Sequence, residues 1–272
     1  DEVGRWLTEH PGVAKISFTG STVAGKDVQA SSSHSLKRLT LELGGNDAAI
    51  ILEDADAKAA ARGVFRQAMA NSGQICVAIK RLYVHDSKHD EVLRELVALA
   101  KGAKVGDGFE AGVQYGPINN KKQFERVKDL VEDAKSHGAV AHTGGAPLPG
   151  DGFFYPPTIL SGVSEGVRIV DEEQFGPVLP VLRFSETEDA IRRANASPYG
   201  LGASVWGTDL SRAADVARRI EAGTVWVNSH GGISPDLPFG GVKESGVGRQ
   251  MGEATLASHT ESKIIRIPRS KL

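Results

Sequence analysis

Cysteine is almost missing from this chain of 272 residues: Cys76 is the only one. A single thiol excludes an internal disulfide framework and fits a reducing compartment, so a cytoplasmic location is expected. No apolar run reaches the roughly 20 residues that cross a membrane as a helix. No signal peptide opens the residues given. Neither sign of charge is in excess, with 32 Lys and Arg against 34 Asp and Glu for a net charge of −2. That balance leaves no electrostatic footprint for nucleic acid or an anionic membrane, and neither is expected as a partner. There is no internal repeat and no low-complexity tract. What remains is 40% hydrophobic and 24% charged, the composition of a globular chain that can bury a sizeable core. The length suits one large domain or two ordinary ones.

The chain opens on Asp1, and residues 13–18 already read as a strand inside a domain. An N-terminal portion is therefore expected to be missing. The last three residues, Ser270-Lys271-Leu272, match the peroxisomal address. They are either that signal, in a eukaryote, or a chance tripeptide on a polar tail.

The strand at residues 13–18 runs into Gly20-Ser21-Thr22-Val23-Ala24-Gly25-Lys26, which opens a helix expected to reach about Ser32. A strand, a glycine turn and a helix N-terminus can hold a phosphate on free N–H groups. A plain strand-to-helix turn has the same pattern, and the stretch alone does not separate the two. Asp27 stands where a P-loop has the Ser or Thr that binds magnesium, which excludes a nucleoside triphosphatase. Residues 39–43 alternate like a half-buried strand that ends at Glu42 and is broken by Gly44-Gly45. Residues 48–52 form an apolar strand, and Asp54 or Asp56 can cap the helix over residues 57–70.

Asn71-Ser72-Gly73-Gln74-Ile75-Cys76 then reads as a loop before the strand at residues 79–84. A thiol there is either a nucleophile or a small buried hydrophobe. His85 and His89 are four apart but lack a third metal ligand in sequence, so they read as surface histidines and no metal site is expected. Helices are expected over residues 88–101 and about Phe124, Val127, Leu130, Val131 and Ala134. Residues 102–117 and 144–157 read as loops. Further units are strand 178–184, helix 186–194, strand 201–206, helix 209–220 and strand 224–227. Alternation this regular predicts an α/β fold with a largely parallel sheet. Residues 228–252 are glycine-rich. Gly246-Val247-Gly248 imitates a dinucleotide fingerprint but lacks a properly placed preceding strand. Residues 261–268 read as a final strand, suited to pairing with a neighbour's sheet.

Several motifs stand in order: Phe18-Thr19-Gly20-Ser21-Thr22, Leu41-Glu42-Leu43-Gly44-Gly45, Asn71 to Cys76, Glu172-Glu173-Gln174-Phe175-Gly176-Pro177, Asn228, and Pro238-Phe239-Gly240-Gly241. Glu42 and Cys76 are 34 residues apart. The ordered set resembles the C-terminal part of a member of the aldehyde dehydrogenase superfamily. The resemblance implies a three-layer α/β catalytic domain with a parallel sheet, preceded by the remainder of a Rossmann-like dinucleotide-binding domain. The expected divisions are residues 1–44, 45–244 and 245–272, the last a return segment and oligomerisation tail.

The resemblance also implies roles. Cys76 would be the nucleophile, and Glu42 the base that frees water for thioester hydrolysis. Gly20, Ser21, Leu43, Glu173 and Phe175 would bind NAD or NADP, with Glu173 on the nicotinamide ribose and Phe175 beside the ring. Phe239 and Ile233 would line the aldehyde site, with His230 flanking it, and Asn228 would hold the loop beneath the thiol. The implied activity is oxidation of a small aldehyde to a carboxylic acid through a thiohemiacetal and a thioester, in a homodimer or homotetramer. Glu42 argues against an acylating, coenzyme A-dependent relative. Two alternatives stay open: a cysteine hydrolase, which needs a histidine orientable onto Cys76, and a non-catalytic family member acting through subunit association. The adenosine end of the dinucleotide site would lie before Asp1, so the residues given are expected to fall short of a competent dehydrogenase.

Overall fold

Residues 48–52 and 79–84 carry apolar side chains at odd and even positions alike, as strands covered on both faces must. They sit at the centre of a seven-stranded sheet. The computed structural model describes residues 2–268. In chain order the elements are α1 (Glu2–Glu9), β1 (Lys15–Thr19), α2 (Thr22–Ser32), β2 (Arg38–Glu42), β3 (Asp47–Ile51), α3 (Ala57–Met69), β4 (Ile79–His85), α4 (Asp86–Lys101), α5 (Lys121–Ser136), β5 (Val140–Thr143) and β6 (Thr158–Ser161). They continue with α6 (Arg168–Asp171), β7 (Val178–Phe184), α7 (Thr187–Asn195), β8 (Tyr199–Gly200), β9 (Gly202–Trp206), α8 (Leu210–Ala217), β10 (Thr224–Val227), β11 (Val242–Lys243), β12 (Gly246–Val247) and α9 (Gly252–Ser258).

The large sheet has the order β10-β9-β3-β4-β7-β6-β5, parallel throughout except for β5 against β6. Alternate residues of its central strands feed two cores. Ala49, Ile51, Leu82 and Val84 pack under Val64, Phe65 and Leu96 of α3 and α4. Ile50, Leu52 and Tyr83 face the opposite way, into a core with Leu130, Val131, Ile191 and Val216 of α5, α7 and α8. Each fully buried Leu, Ile or Val contributes about 1.5–3 kcal/mol, so the two-sided cover makes this three-layer sandwich the rigid part of the molecule. No helix among the described residues is long and apolar enough to cross a membrane.

A second, three-stranded sheet has the order β1-β2-β12. β1 and β2 are parallel, with Thr19 opposite Glu42, and β12 runs antiparallel, with Gly246 opposite Glu42. A short antiparallel pair, β8 with β11, lies beside them. The carboxyl ends of β1 and β2 therefore meet the amino ends of β3, β4 and β7. The segments that join at this seam carry the candidate site.

Helix α3 shows why the thiol loop starts where it does. Asp56 caps it, its Oδ1 accepting from the Lys58 and Ala59 N–H groups at 3.0 Å. Ala57, Ala60, Ala61, Val64, Phe65, Ala68 and Met69 form its buried stripe. The helix stops because Ala70 turns extended and both Asn71 and Ser72 take left-handed angles, φ 50° and 54°. Two successive non-glycine residues there cost conformational energy, which the packing around the loop must offset.

Some expectations need correction. Residues 261–268 form no strand: they run exposed, with Ile264, Ile265 and Ile267 in solvent and no ladder partner among the described residues. The free side of β2 is already occupied by β12. That short strand also corrects the reading of Gly246-Val247-Gly248, which begins as a strand itself. His89 is buried at 3% exposure instead of lying on the surface, because it falls on the inner stripe of α4. Short β5 and β6 lack the periodicity that would reveal them in sequence, whereas α1 carries a stripe at helical spacing, Val3, Trp6 and Leu7, that is exposed here. The Ser270-Lys271-Leu272 tripeptide lies outside the described residues.

Replacing Asp56 with Ala removes both cap bonds at the start of α3. The expected cost is about 0.5–2 kcal/mol, read as a lower midpoint in urea unfolding at unchanged slope. An unchanged midpoint would show that the cap contributes nothing.

Candidate active site

Gly73 stands where the thiol loop touches its neighbour. Its φ is 72°, and a Cβ there would lie 2.1 Å from the Gly176 carbonyl oxygen. Only glycine meets both demands. Around this contact the loop is heavily bonded. The Ser72 hydroxyl donates to the Gly116 carbonyl at 2.9 Å, and the Asn119 N–H donates to Gln74 Oε1 at 2.8 Å. The Ala78 N–H donates to the Ile75 carbonyl at 3.0 Å. Cys76 is thereby held half-buried against Val77, Leu201, Phe239 and Trp226. Burial pushes its thiol above the ordinary range. The Lys80 ammonium and the Val77 N–H oppose that rise, and the Asp47 and Glu173 carboxylates reinforce it.

Glu42 ends β2 with 5% exposure, and neither oxygen of its carboxylate has a hydrogen-bonding partner among the described residues. Desolvation raises its pKa to about 7, with Arg249 pulling the other way. The carboxylate lies against Gly240, where a Cβ would come within 2.6 Å of Oε1. The neighbouring Phe239, 8% exposed, shares an apolar cluster with Cys76. Phe239 and Gly240 thus link the two groups in sequence: Phe239 belongs to the cluster that Cys76 packs against, and Gly240 lies against the Glu42 carboxylate.

The candidate cofactor residues converge on the same seam. The Gly20 N–H donates to the Glu42 carbonyl at 3.0 Å, and the Leu43 N–H to the Ser245 carbonyl at 2.9 Å. Leu43 is buried and reaches α2 at Gly25. Ser21 caps α2, its hydroxyl accepting from the Ala24 N–H at 3.2 Å. Glu173 Oε1 accepts from the Gly45 N–H at 3.1 Å and lies 3.5 Å from Lys80 Nζ. Burial lifts the Glu173 carboxyl above its usual range, against the pull of Lys80. Phe175 is half-buried with φ 48°, and the Gln123 side chain donates to its carbonyl at 3.0 Å.

Two expected residues, Ile233 and Asn228, sit elsewhere. Ile233 is 42% exposed on the loop after β10 and is absent from the apolar cluster around Cys76. Asn228 is not beneath the thiol. It follows β10 at the opposite end of the large sheet, with φ 51°, and clamps Gly207 through Nδ2 to its carbonyl (2.7 Å) and Oδ1 to its N–H (2.9 Å). The parallel strands put it there, because the thiol loop enters β4 at its amino end. His230 lies on the segment that folds back: its Nε2 donates to the Val77 carbonyl at 2.7 Å, and its ring packs 4.7 Å from that of Trp226. Its Nδ1 is buried without a partner among the described residues, and no hydrogen bond joins the ring to Cys76.

Lys80, Asp47 and Arg249 enter the site without having been singled out in sequence. The signal for Lys80 was present: Lys80-Arg81 interrupts an otherwise apolar strand. Charges inside such a strand require partners, and Lys80 finds them around Cys76.

Residues 1–265 match the model described as the aldehyde dehydrogenase family. The chain is 42% identical to retinaldehyde dehydrogenase 3 of Rattus norvegicus over 266 residues, covering 97% of this chain and 52% of that protein. It is 42% identical to phenylacetaldehyde dehydrogenase of Pseudomonas fluorescens, covering 98% of this chain and 54% of the relative. Among solved structures it superposes on the NAD+ complex of aldehyde dehydrogenase from Bacillus cereus with a TM-score of 0.91 and 43% identity, over 93% of this chain and 52% of that one. The chain thus spans about half the length of the curated relatives it matches.

The raised Glu42 pKa has a stability consequence. Its folded value of about 7 exceeds its ordinary 4.5, so the unfolded chain releases this proton first as pH rises. The group contributes nothing below the ordinary value, becomes destabilising between the two, and is fully so above the folded one. Glu42→Gln is therefore expected to raise Tm at pH 8, by about 2–4 °C for each kcal/mol recovered, with the gain shrinking towards pH 4.5. Melting curves across that range check it, and a gain independent of pH would contradict it.

Proposed function

This chain belongs to the aldehyde dehydrogenase family, and we propose on that premise that it oxidises an aldehyde to a carboxylic acid with NAD or NADP as the acceptor. The observation that carries the proposal is the buried, unpartnered Glu42 carboxylate, held near neutrality against Gly240, whose neighbour Phe239 belongs to the apolar cluster that the only thiol packs against. A base of that kind loses and regains a proton with little cost at physiological pH.

The residues at the seam fit a dinucleotide. The start of α2 is exposed at Ser21 and presents first-turn N–H groups to an anion. Glu173 is anchored through one oxygen and keeps the other for a ribose hydroxyl. Gly20, Ser21, Leu43, Glu173 and Phe175 would hold the group, which supplies a hydride acceptor when bound. The chain's own residues do the rest. Glu42 takes the Cys76 proton, and Sγ bonds to the aldehyde carbon. The resulting oxyanion accepts from the Cys76 backbone N–H, which has no other partner among the described residues. The C–H electron pair leaves as hydride, and a thioester remains on Sγ. Glu42 releases that proton to solvent and then takes one from water; the oxygen attacks the thioester carbon, the C–S bond breaks to release the acid, and the leaving sulfur recovers a proton from Glu42.

The test uses the protein with whatever flanking sequence it naturally carries. Cys76→Ala should end aldehyde oxidation. Glu42→Gln should give a burst of reduced nicotinamide followed by steady turnover slowed by about 10²–10⁴-fold. Unimpaired turnover by either variant would overturn the assignment. A parent protein that reduces no nicotinamide with any aldehyde would favour a non-catalytic family member instead. Self-association belongs to the same proposal. Ile264, Ile265 and Ile267 are 93%, 74% and 82% exposed, an apolar surface suited to a second copy. Deleting residues 262–272 should lower the sedimenting mass, and an unchanged mass would refute a role for the tail.

A further inference from the structure

We propose that Lys80 is a positioning residue that aims the backbone N–H groups of Cys76 and Val77 and supplies the positive charge facing the thiol. The proposal rests on the dehydrogenase reading of the same site and adds a residue to it.

Lys80 is 1% exposed, yet its ammonium is fully engaged. Nζ donates to the carbonyls of Cys76 at 2.7 Å, Ile75 at 2.9 Å and Ala78 at 3.3 Å, and it lies 3.5 Å from Glu173 Oε1. Its own carbonyl accepts from Gln174 Nε2 at 3.0 Å, and the same amide donates to the Val178 carbonyl at 2.9 Å. One residue thus gathers the thiol loop from one side and the turn bearing Glu173 and Gln174 from the other.

The peptide geometry gives these contacts a direction. In a trans peptide the carbonyl and the following N–H point opposite ways. Drawing the Ile75 carbonyl inward to Nζ sends the Cys76 N–H outward, where it has no partner among the described residues. Drawing in the Cys76 carbonyl likewise turns the Val77 N–H the other way, where it favours the charged form of the thiol. The ammonium therefore sets the donor for an oxyanion and the donor for a thiolate without touching either.

The charges facing the thiol are few. Lys80 comes from β4, Asp47 from β3 and Glu173 from the turn before β7. His230, on the returning loop, reaches only as far as the Val77 carbonyl. Phe239, Leu201 and Trp226 cover the remaining sides with apolar surface. Lys80 is the one cation in this set, and two carboxylates oppose it. Removing it leaves the thiolate facing two anions in a desolvated site.

The experiment follows alkylation of Cys76 by iodoacetamide against pH in the naturally flanked protein, with the Cys76 peptide quantified by mass. Lys80→Met keeps the stem volume and deletes the charge. Its alkylation midpoint is expected to rise by at least one pH unit, with about a 10-fold slower reaction below it, and kcat is expected to fall more than the KM for aldehyde changes. Glu173→Gln removes an opposing anion and is expected to lower the midpoint. A purely structural lysine would disturb melting but leave both midpoints in place. A Lys80→Met midpoint unchanged from the parent overturns the proposal. If Lys80→Met does not fold, Glu173→Gln decides: a lowered midpoint supports the electrostatic balance around Cys76, and an unchanged or raised one overturns it. Failure of the dehydrogenase reading would look different, as a parent protein with a normal alkylation profile and no nicotinamide reduction.

Discussion

Bare backbone meets bare backbone where Gly73 of the thiol loop passes the Gly176 carbonyl, and the candidate site depends on that approach. A side chain at Gly73 would push the loop off the 172–177 turn. With the loop would go the inward carbonyls of Ile75 and Cys76 and the turn that carries Glu173 and Phe175. The contact is possible because Asn71 and Ser72 accept left-handed angles just before it. Local strain is held in place by the two-sided packing of β3, β4 and β7, whose cores do not yield.

The electrostatics follow from the same enclosure. Water is largely excluded from Glu42, Cys76 and Glu173, and each of the three is shifted towards its neutral form by burial. Different neighbours then separate them. Arg249 alone moderates Glu42, whereas Glu173 has Lys80 and the Gly45 N–H. Two carboxylates on one seam are thus poised differently, one as a proton acceptor near neutrality and one as an anchored hydrogen-bond acceptor.

The α/β architecture was readable because the long parallel strands are apolar on both sides and alternate with amphipathic helices. Residues 178–184 and 224–227 were placed to the residue. β5 and β6 escaped because they are four-residue strands flanking a long loop, and α1 escaped because its stripe of Val3, Trp6 and Leu7 spans only two turns and is exposed here. The isoleucines of residues 261–268 form no strand within this chain, since β-propensity without a paired neighbour does not make one. In the site, the positions of Cys76 on its loop and Glu42 at a strand end were legible. The partners that tune them were not. Gly240 lies against Glu42 only through tertiary folding, and the charge of Lys80 inside an apolar strand signals a need for partners without naming them.

The pairing of Gly246 with Glu42 also orders events in time. These residues are about two hundred positions apart, and contacts that distant form late because the intervening chain must first be gathered. Gly240, Ser245 and Gly246, which enclose the end of β2, all come from the last part of the chain. Until those residues arrive, Glu42 is in water as an ordinary carboxylate, and Cys76 lacks its cover from Phe239. The acid acquires its unusual proton affinity only when residues 240–246 close over it, so the chemistry of the site depends on contacts that local folding alone does not make.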